Sequence, residues 1–275
     1  MISKYLFLTI SGFCIKIIFK PSYDMSIQTD LISEIITKYK SYISKSNPLK
    51  SDFKIAITEQ NINTINFIPD NQNKSIYLFT NFYEKKRVNY YVTYYYISLY
   101  QFNHLLLTII EKLLSLNRGF ILRCTGFLYL NKHILTTTYQ NTSLPLTNTS
   151  FPKDKITINK SAIIKKIGAH FFAFQNPCAD SRKKSSGYPI DKLIIFTDTL
   201  TSSYFVRMQN KNDFINIIIR HSNISKYSDA SLENSESYAE SMKTILSFIS
   251  KVDVWNLRIG KKRIQQEGFL KYLKK

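Results

Sequence analysis

Apolar and polar positions alternate at the start of the chain, most clearly in Cys14-Ile15-Lys16-Ile17-Ile18-Phe19. Residues 1–20 therefore predict two strands joined as a hairpin at Ser11-Gly12. From Asp30 the period changes to that of a helix, with Leu31, Ile35, Ile36, Tyr39 and Ile43 on one stripe, and the pattern stops near Ser46-Asn47-Pro48. Phe53–Thr58 alternates again. Ile62–Ile68 and Ser75–Phe82 predict strands on either side of a turn at Asn71-Gln72-Asn73. Val88–Tyr96 is rich in Tyr and Val, which suit a pleated, half-buried surface.

A second pattern starts at Leu99. Leu99, Phe102, Leu106, Ile109, Ile110, Leu113 and Leu114 mark an amphipathic helix, closed by Asn117-Arg118-Gly119. Phe120–Cys124, Phe127–Leu130 and Ile134-Leu135 read as strands, followed by a Thr-, Asn- and Ser-rich stretch over Thr136–Ser150. Ile156–Ile158, Ile163–Ile164 and Phe171–Phe174 predict short strands, and Ser181–Gly187 a basic loop. Leu193–Phe196 is continuously apolar, as expected of a central parallel strand buried on both faces. Phe214–Ile219 fits either a strand or a short helix. Ser222–Ser231 reads as a loop, Glu233–Ile249 as a helix, Val252–Ile259 as a closing strand and Ile264–Leu273 as a last helix. The order is mixed α and β with no clean domain break. We expect an N-terminal portion, residues 1–98, packed on a core of residues 99–275 as one compact unit.

At 275 residues the chain is long enough to bury a core, and 44% hydrophobic content argues against global disorder. Tyr5–Ile15 is an apolar run of signal-peptide length, but it has no small-residue cleavage site and its alternation reads as a strand. No run is long enough to span a membrane. Cys14, Cys124 and Cys178 are an odd number and form no CxxC pair, which argues against a disulfide framework and for a reduced, cytoplasmic setting.

The formal net charge of +19 favours anionic partners without choosing among them. Two basic groups stand out: Arg182-Lys183-Lys184, and Lys261-Lys262-Arg263 in a tail where Lys251–Lys275 holds eight basic and two acidic residues. Each reads as a polyanion or partner contact or as a solvated face. Tyr90, Tyr91, Tyr94, Tyr95 and Tyr96 fit base stacking or plain cross-strand packing. The histidines His104, His133, His170 and His221 have no metal-ligand spacing.

The segment Leu105–Leu135 carries a resemblance. An amphipathic helix leads into Asn117-Arg118-Gly119-Phe120-Ile121-Leu122-Arg123-Cys124-Thr125-Gly126-Phe127 and then a strand. This is similar to the helix-then-hairpin entry of the HPr serine kinase/phosphorylase family, in which a Leu-His-Ala-Ser-Gly strand carries a His where this chain has Arg123. Segments 1–60, Lys155–Ile158, Phe171–Pro177, Leu193–Phe196, Glu233–Ile249 and Val252–Leu257 follow in the family's order. The resemblance implies a PEP carboxykinase-like central sheet with flanking helices and an N-terminal strand-helix-strand portion.

The resemblance also implies a Gly-x-x-Gly-x-Gly-Lys-Ser/Thr loop after the strand ending near Leu135. Such a loop cradles phosphates with backbone N–H groups, a lysine and a metal-holding hydroxyl. Here the residues are Thr136-Thr137-Thr138-Tyr139-Gln140-Asn141-Thr142-Ser143, with no glycine between Gly126 and Gly168 and no lysine between Lys132 and Lys153. The family's aspartate pair matches Lys153-Asp154. The expectation is a degenerate, non-catalytic member, needing no cofactor and acting as a binding or regulatory protein on a peptide or carrier protein. Two rivals stand beside it. One is a divergent serine kinase using Mg-ATP, with Asp154, Arg123 and Thr136–Thr138 as its site. The other is a basic nucleic-acid-binding module.

Overall fold

The computed structural model describes residues 4–46, 48–59, 67–69, 76–78, 83–138, 156–179, 186–198, 204–207, 212–222 and 235–259. The architecture is mixed α and β. The chain divides into a first unit, Met1–Leu113 with Ser181–Lys184, and a second, Leu114–Asp180 with Ser185–Lys275.

In unit 1 the predicted hairpin forms between β1 (Lys4–Ile10) and β2 (Phe13–Phe19). Ser11 and Gly12 both take positive φ, 52° and 83°, the geometry of a two-residue turn matched to strand twist. Helix α1 (Met25–Tyr39) begins five residues before the expected Asp30. Its cap is Asp24, whose Oδ1 accepts the N–H groups of Ser26 and Ile27 at 3.1 and 3.2 Å. Met25 and Ser26 in the first turn are exposed and Ile27 and Gln28 only half-buried, so apolar periodicity did not reveal it. Strand β3 (Phe53–Thr58) lies parallel to β2. The short pair β4 (Phe67–Pro69) and β5 (Ile76–Leu78) overlaps two predicted strands. Within the predicted Val88–Tyr96 strand lies β7 (Tyr90–Tyr94), and before it the sequence reading missed β6 (Glu84–Arg87), which pairs with β7 across a turn at Val88-Asn89. The sheet order is β1-β2-β3-β7-β6.

One face of this sheet is core. Phe13, Ile15, Ile17, Phe53, Ile55, Ile57 and Tyr91 are buried. Helix α2 (Leu99–Leu116) lies over it, with the Lys112 ammonium 5.8 and 5.5 Å from the Phe53 and Tyr91 ring centroids. The two helices meet where Tyr39 of α1 packs edge-on against Phe102 of α2, ring centroids 6.1 Å apart.

Unit 2 holds two sheets. The first has the order β11-β9-β10-β15-β17-β16, formed by β9 (Thr125–Tyr129), β10 (Lys132–Thr138), β11 (Ile156–Ile158), β15 (Lys192–Asp198), β16 (Tyr204–Arg207) and β17 (Asp253–Ile259). Strand β15 is central and parallel to both β10 and β17, as its apolar run predicts. The second sheet is antiparallel, β14-β13-β12-β8, from β8 (Gly119–Leu122), β12 (Ala162–Ile167), β13 (His170–Gln175) and β14 (Tyr188–Pro189). The ambiguous Phe214–Ile219 segment is helix α3 (Asn212–His221), and α4 (Ser235–Lys251) matches its predicted counterpart. The predicted helix Ile264–Leu273 lies outside the described residues.

The turn from α2 into β8 differs in detail from expectation. Arg118, not Gly119, takes the left-handed conformation, with φ 53°. Gly119 instead opens β8, because a Cβ there would lie 2.7 Å from the Ile164 carbonyl oxygen.

The unit 2 core draws on both sheets and both helices, including Phe120, Ile164, Phe171, Leu193, Ile195, Phe214, Ile245 and Phe248. Phe248 is fully buried. It stands edge-on to Phe120 at 5.4 Å and to Phe171 at 5.2 Å. Truncation to Ala removes both contacts and leaves a cavity, a change that costs about 3–5 kcal/mol. Urea unfolding of Phe248→Ala is expected to lose that amount, with Phe248→Leu losing less. Equal, negligible losses for both would show that the site collapses freely.

Candidate functional site

The resemblance places catalysis beyond the C-terminal end of β10. There the three threonines prolong the strand and are buried: Thr136 1%, Thr137 2% and Thr138 6% exposed. The Thr136 hydroxyl donates to the Thr125 carbonyl at 3.1 Å, and the Thr137 hydroxyl to the Arg123 carbonyl at 2.9 Å. Arg123 has an exposed side chain. Its backbone N–H donates to the carbonyl of His221, the last residue of α3, at 2.8 Å. So Arg123, Thr137 and His221 come together through the backbone of Arg123, not through its side chain. Cys124 is fully buried, and burial pushes its thiol up to about 12, so it is no nucleophile near neutral pH.

The other sequence candidates do not join this group. His170 opens β13 and is exposed. His104 lies in α2 of unit 1. Lys153 and Asp154, Arg182-Lys183-Lys184 and Lys261-Lys262-Arg263 lie outside the described residues. Among the described residues, no three His, Cys, Asp or Glu side chains form a group that could hold a metal.

The amino ends of the same parallel strands hold a second polar group that the sequence did not single out. His133 at the start of β10 is 2% exposed and stacks on Tyr188, with ring centroids 4.8 Å apart at 17°. Its Nε2 lies 2.5 Å from the Thr157 hydroxyl, and its Nδ1 is buried with no hydrogen-bond partner among the described residues. Its backbone N–H donates to Asp191 Oδ2 at 2.7 Å. In β15, Lys192 sets its ammonium 4.9 Å from the Trp255 ring, whose indole N–H donates to Asp253 at 2.7 Å. Here cation and carboxylates organise strand ends around a buried imidazole.

Unit 1 contains an open cleft of about 760 Å³. Lys54 of β3 and Lys86 and Arg87 of β6 line it, with Tyr90 as an aromatic wall and Ile18 as an apolar patch. Asp52 is the acid in the lining, and its Oδ2 accepts the Cys14 backbone N–H at 2.7 Å. Contiguous basic runs drew attention in the sequence, whereas this group is assembled from separate strands. The available signal was that Lys16 and Lys54 both occupy polar positions in alternating strands.

No protein-family model matches the chain, and no curated protein sequence matches it either.

The buried imidazole makes stability depend on pH. Burial lowers the His133 pKa from 6.5 to about 4. The unfolded chain therefore binds this proton more readily, so stability is full above pH 6.5 and falls as pH drops toward 4. The change is on the order of 3 kcal/mol. Urea midpoints between pH 7.5 and 4 should show it, and His133→Gln should flatten that limb. An unchanged slope in the variant would place the pH dependence elsewhere.

Proposed function

We propose that residues 99–275 are a core of the HPr kinase/PEP carboxykinase type that no longer transfers phosphate. The chain then works as a binding or regulatory protein acting on a peptide or carrier protein. The architectural part is supported by element order. Helix α2, strand β8, the β9–β10 hairpin and the parallel β15 follow one another as the resemblance lays them out.

The functional part rests on the threonines at the end of β10. A rebuilt kinase site would need hydroxyls presented to a metal-bound phosphate. Thr136 and Thr137 are instead buried and donate to backbone carbonyls of neighbouring residues. Arg123 is exposed there, and a single exposed arginine attracts phosphate only weakly.

Calorimetric titration of the full chain with Mg-ATP is expected to give no micromolar binding, and labelled ATP no transfer to peptides. Arg123→Ala and Asp154→Ala should leave both results unchanged. Micromolar binding that either substitution abolishes would restore the kinase reading.

A further inference from the structure

A row of side chains crosses all five strands of the unit 1 sheet on the face opposite α2. In register it runs Phe7, Lys16, Lys54, Tyr90, Arg87, each residue paired with the next across neighbouring strands. Cross-strand partners project from the same face. With strands about 4.8 Å apart, the row spans roughly 19 Å. Lys54, Tyr90 and Arg87 line the open cleft, which Lys86 also enters. Lys54, Lys86 and Arg87 are exposed. Among the described residues, no acid pairs with the side chains of Lys54 or Arg87, and the carboxylate of Asp52 is already held by backbone. At the far end, the Lys16 ammonium sits 4.4 Å from the Tyr5 ring, which is 50% exposed.

Cations at intervals with aromatic rings beside them, on a rigid sheet, fit a ligand carrying repeated negative charge and flat rings. An isolated phosphate would occupy only part of the row. An acidic peptide would satisfy the cations but leave Tyr90 and Tyr5 without a stacking partner. Single-stranded nucleic acid supplies both chemistries. We propose that this face binds single-stranded nucleic acid, with Lys54, Lys86 and Arg87 on phosphates and Tyr90 against a base. The lining residues of the cleft belong to unit 1 and none of them carries the preceding reading, so the failure of this proposal leaves that reading intact.

The test measures fluorescence anisotropy of a labelled oligothymidylate, about 12 nucleotides long, with the full chain across a salt series. Affinity should fall steeply with salt. Lys54→Gln combined with Arg87→Gln should weaken binding at least tenfold and reduce the log–log salt slope by about 1.4, at about 0.7 per lost single-strand contact. Tyr90→Ala should weaken oligonucleotide binding about tenfold, while Tyr90→Phe retains it. Inorganic polyphosphate binding should be indifferent to Tyr90→Ala. Thermal melts confirm that each variant is folded. Absence of oligonucleotide binding overturns the proposal. So does binding that survives the Lys54/Arg87 double variant, or that is lost only with Lys261→Gln, Lys262→Gln and Arg263→Gln. Polyglutamate competing as well as unlabelled oligonucleotide at equal charge would assign the face to an acidic peptide instead.

Discussion

Phe248 is the side chain on which the arrangement of unit 2 turns. It sits in the last two turns of α4 and touches Phe120 in β8 and Phe171 in β13, both edge-on. Edge-to-face pairs add to burial because the positive ring edge meets the negative face. The chain then passes through Val252, whose N–H donates to the Phe248 carbonyl at 2.9 Å, and enters β17. The contact that seats α4 on one sheet thereby sets where β17 begins in the other. Sliding α4 by a turn would move Asp253 away from Lys192, its partner in the parallel register with β15.

That constraint shapes where chemistry can exist. Leu193, Ile194, Ile195 and Phe196 are all buried, so the middle of β15 has no room for polar groups. Polar side chains are displaced to the strand ends. At the carboxyl ends they largely satisfy one another or the backbone: Thr197 donates to Asn256 at 3.0 Å, and Thr136 and Thr137 donate to carbonyls. At the amino ends, His133 Nδ1 is buried with no hydrogen-bond partner among the described residues. A neutral imidazole tolerates this at modest cost, whereas its charged form would not.

Periodicity made the larger elements legible. The Leu99 stripe, the continuous run at Leu193–Phe196 and the Ser11-Gly12 hairpin all form as read, because each rests on burial or turn chemistry local to the segment. Local signals failed where burial was absent or the decisive contact was distant. The start of α1 was hidden because its first turn buries no side chain fully. Gly119 was read as a helix cap, while its role is set by Ile164, brought across from β12. Phe214–Ile219 stayed ambiguous because a short apolar run suits both a strand and a helix, and only packing into the shared core decides for the helix. At the candidate kinase site, Thr136–Thr138 read as the start of a polar loop, yet their β-branched side chains and parallel pairing with β15 carry them into the sheet.

The basic cleft was less legible for a different reason. A contiguous run such as Lys261-Lys262-Arg263 is easy to see but spreads its charge in several directions unless something holds it. Convergent charge needs cations on one rigid face, and in a sheet that means every second residue of separate strands. Lys16 and Lys54 each read singly as the polar half of an alternation. Their adjacency depends on β2 and β3 being parallel neighbours in a specific register, and that of Tyr90 and Arg87 on the β6–β7 turn. Neither register can be inferred from composition or spacing. A net charge of +19 therefore says that anions are attracted, while sheet register decides where a few of those charges can act together.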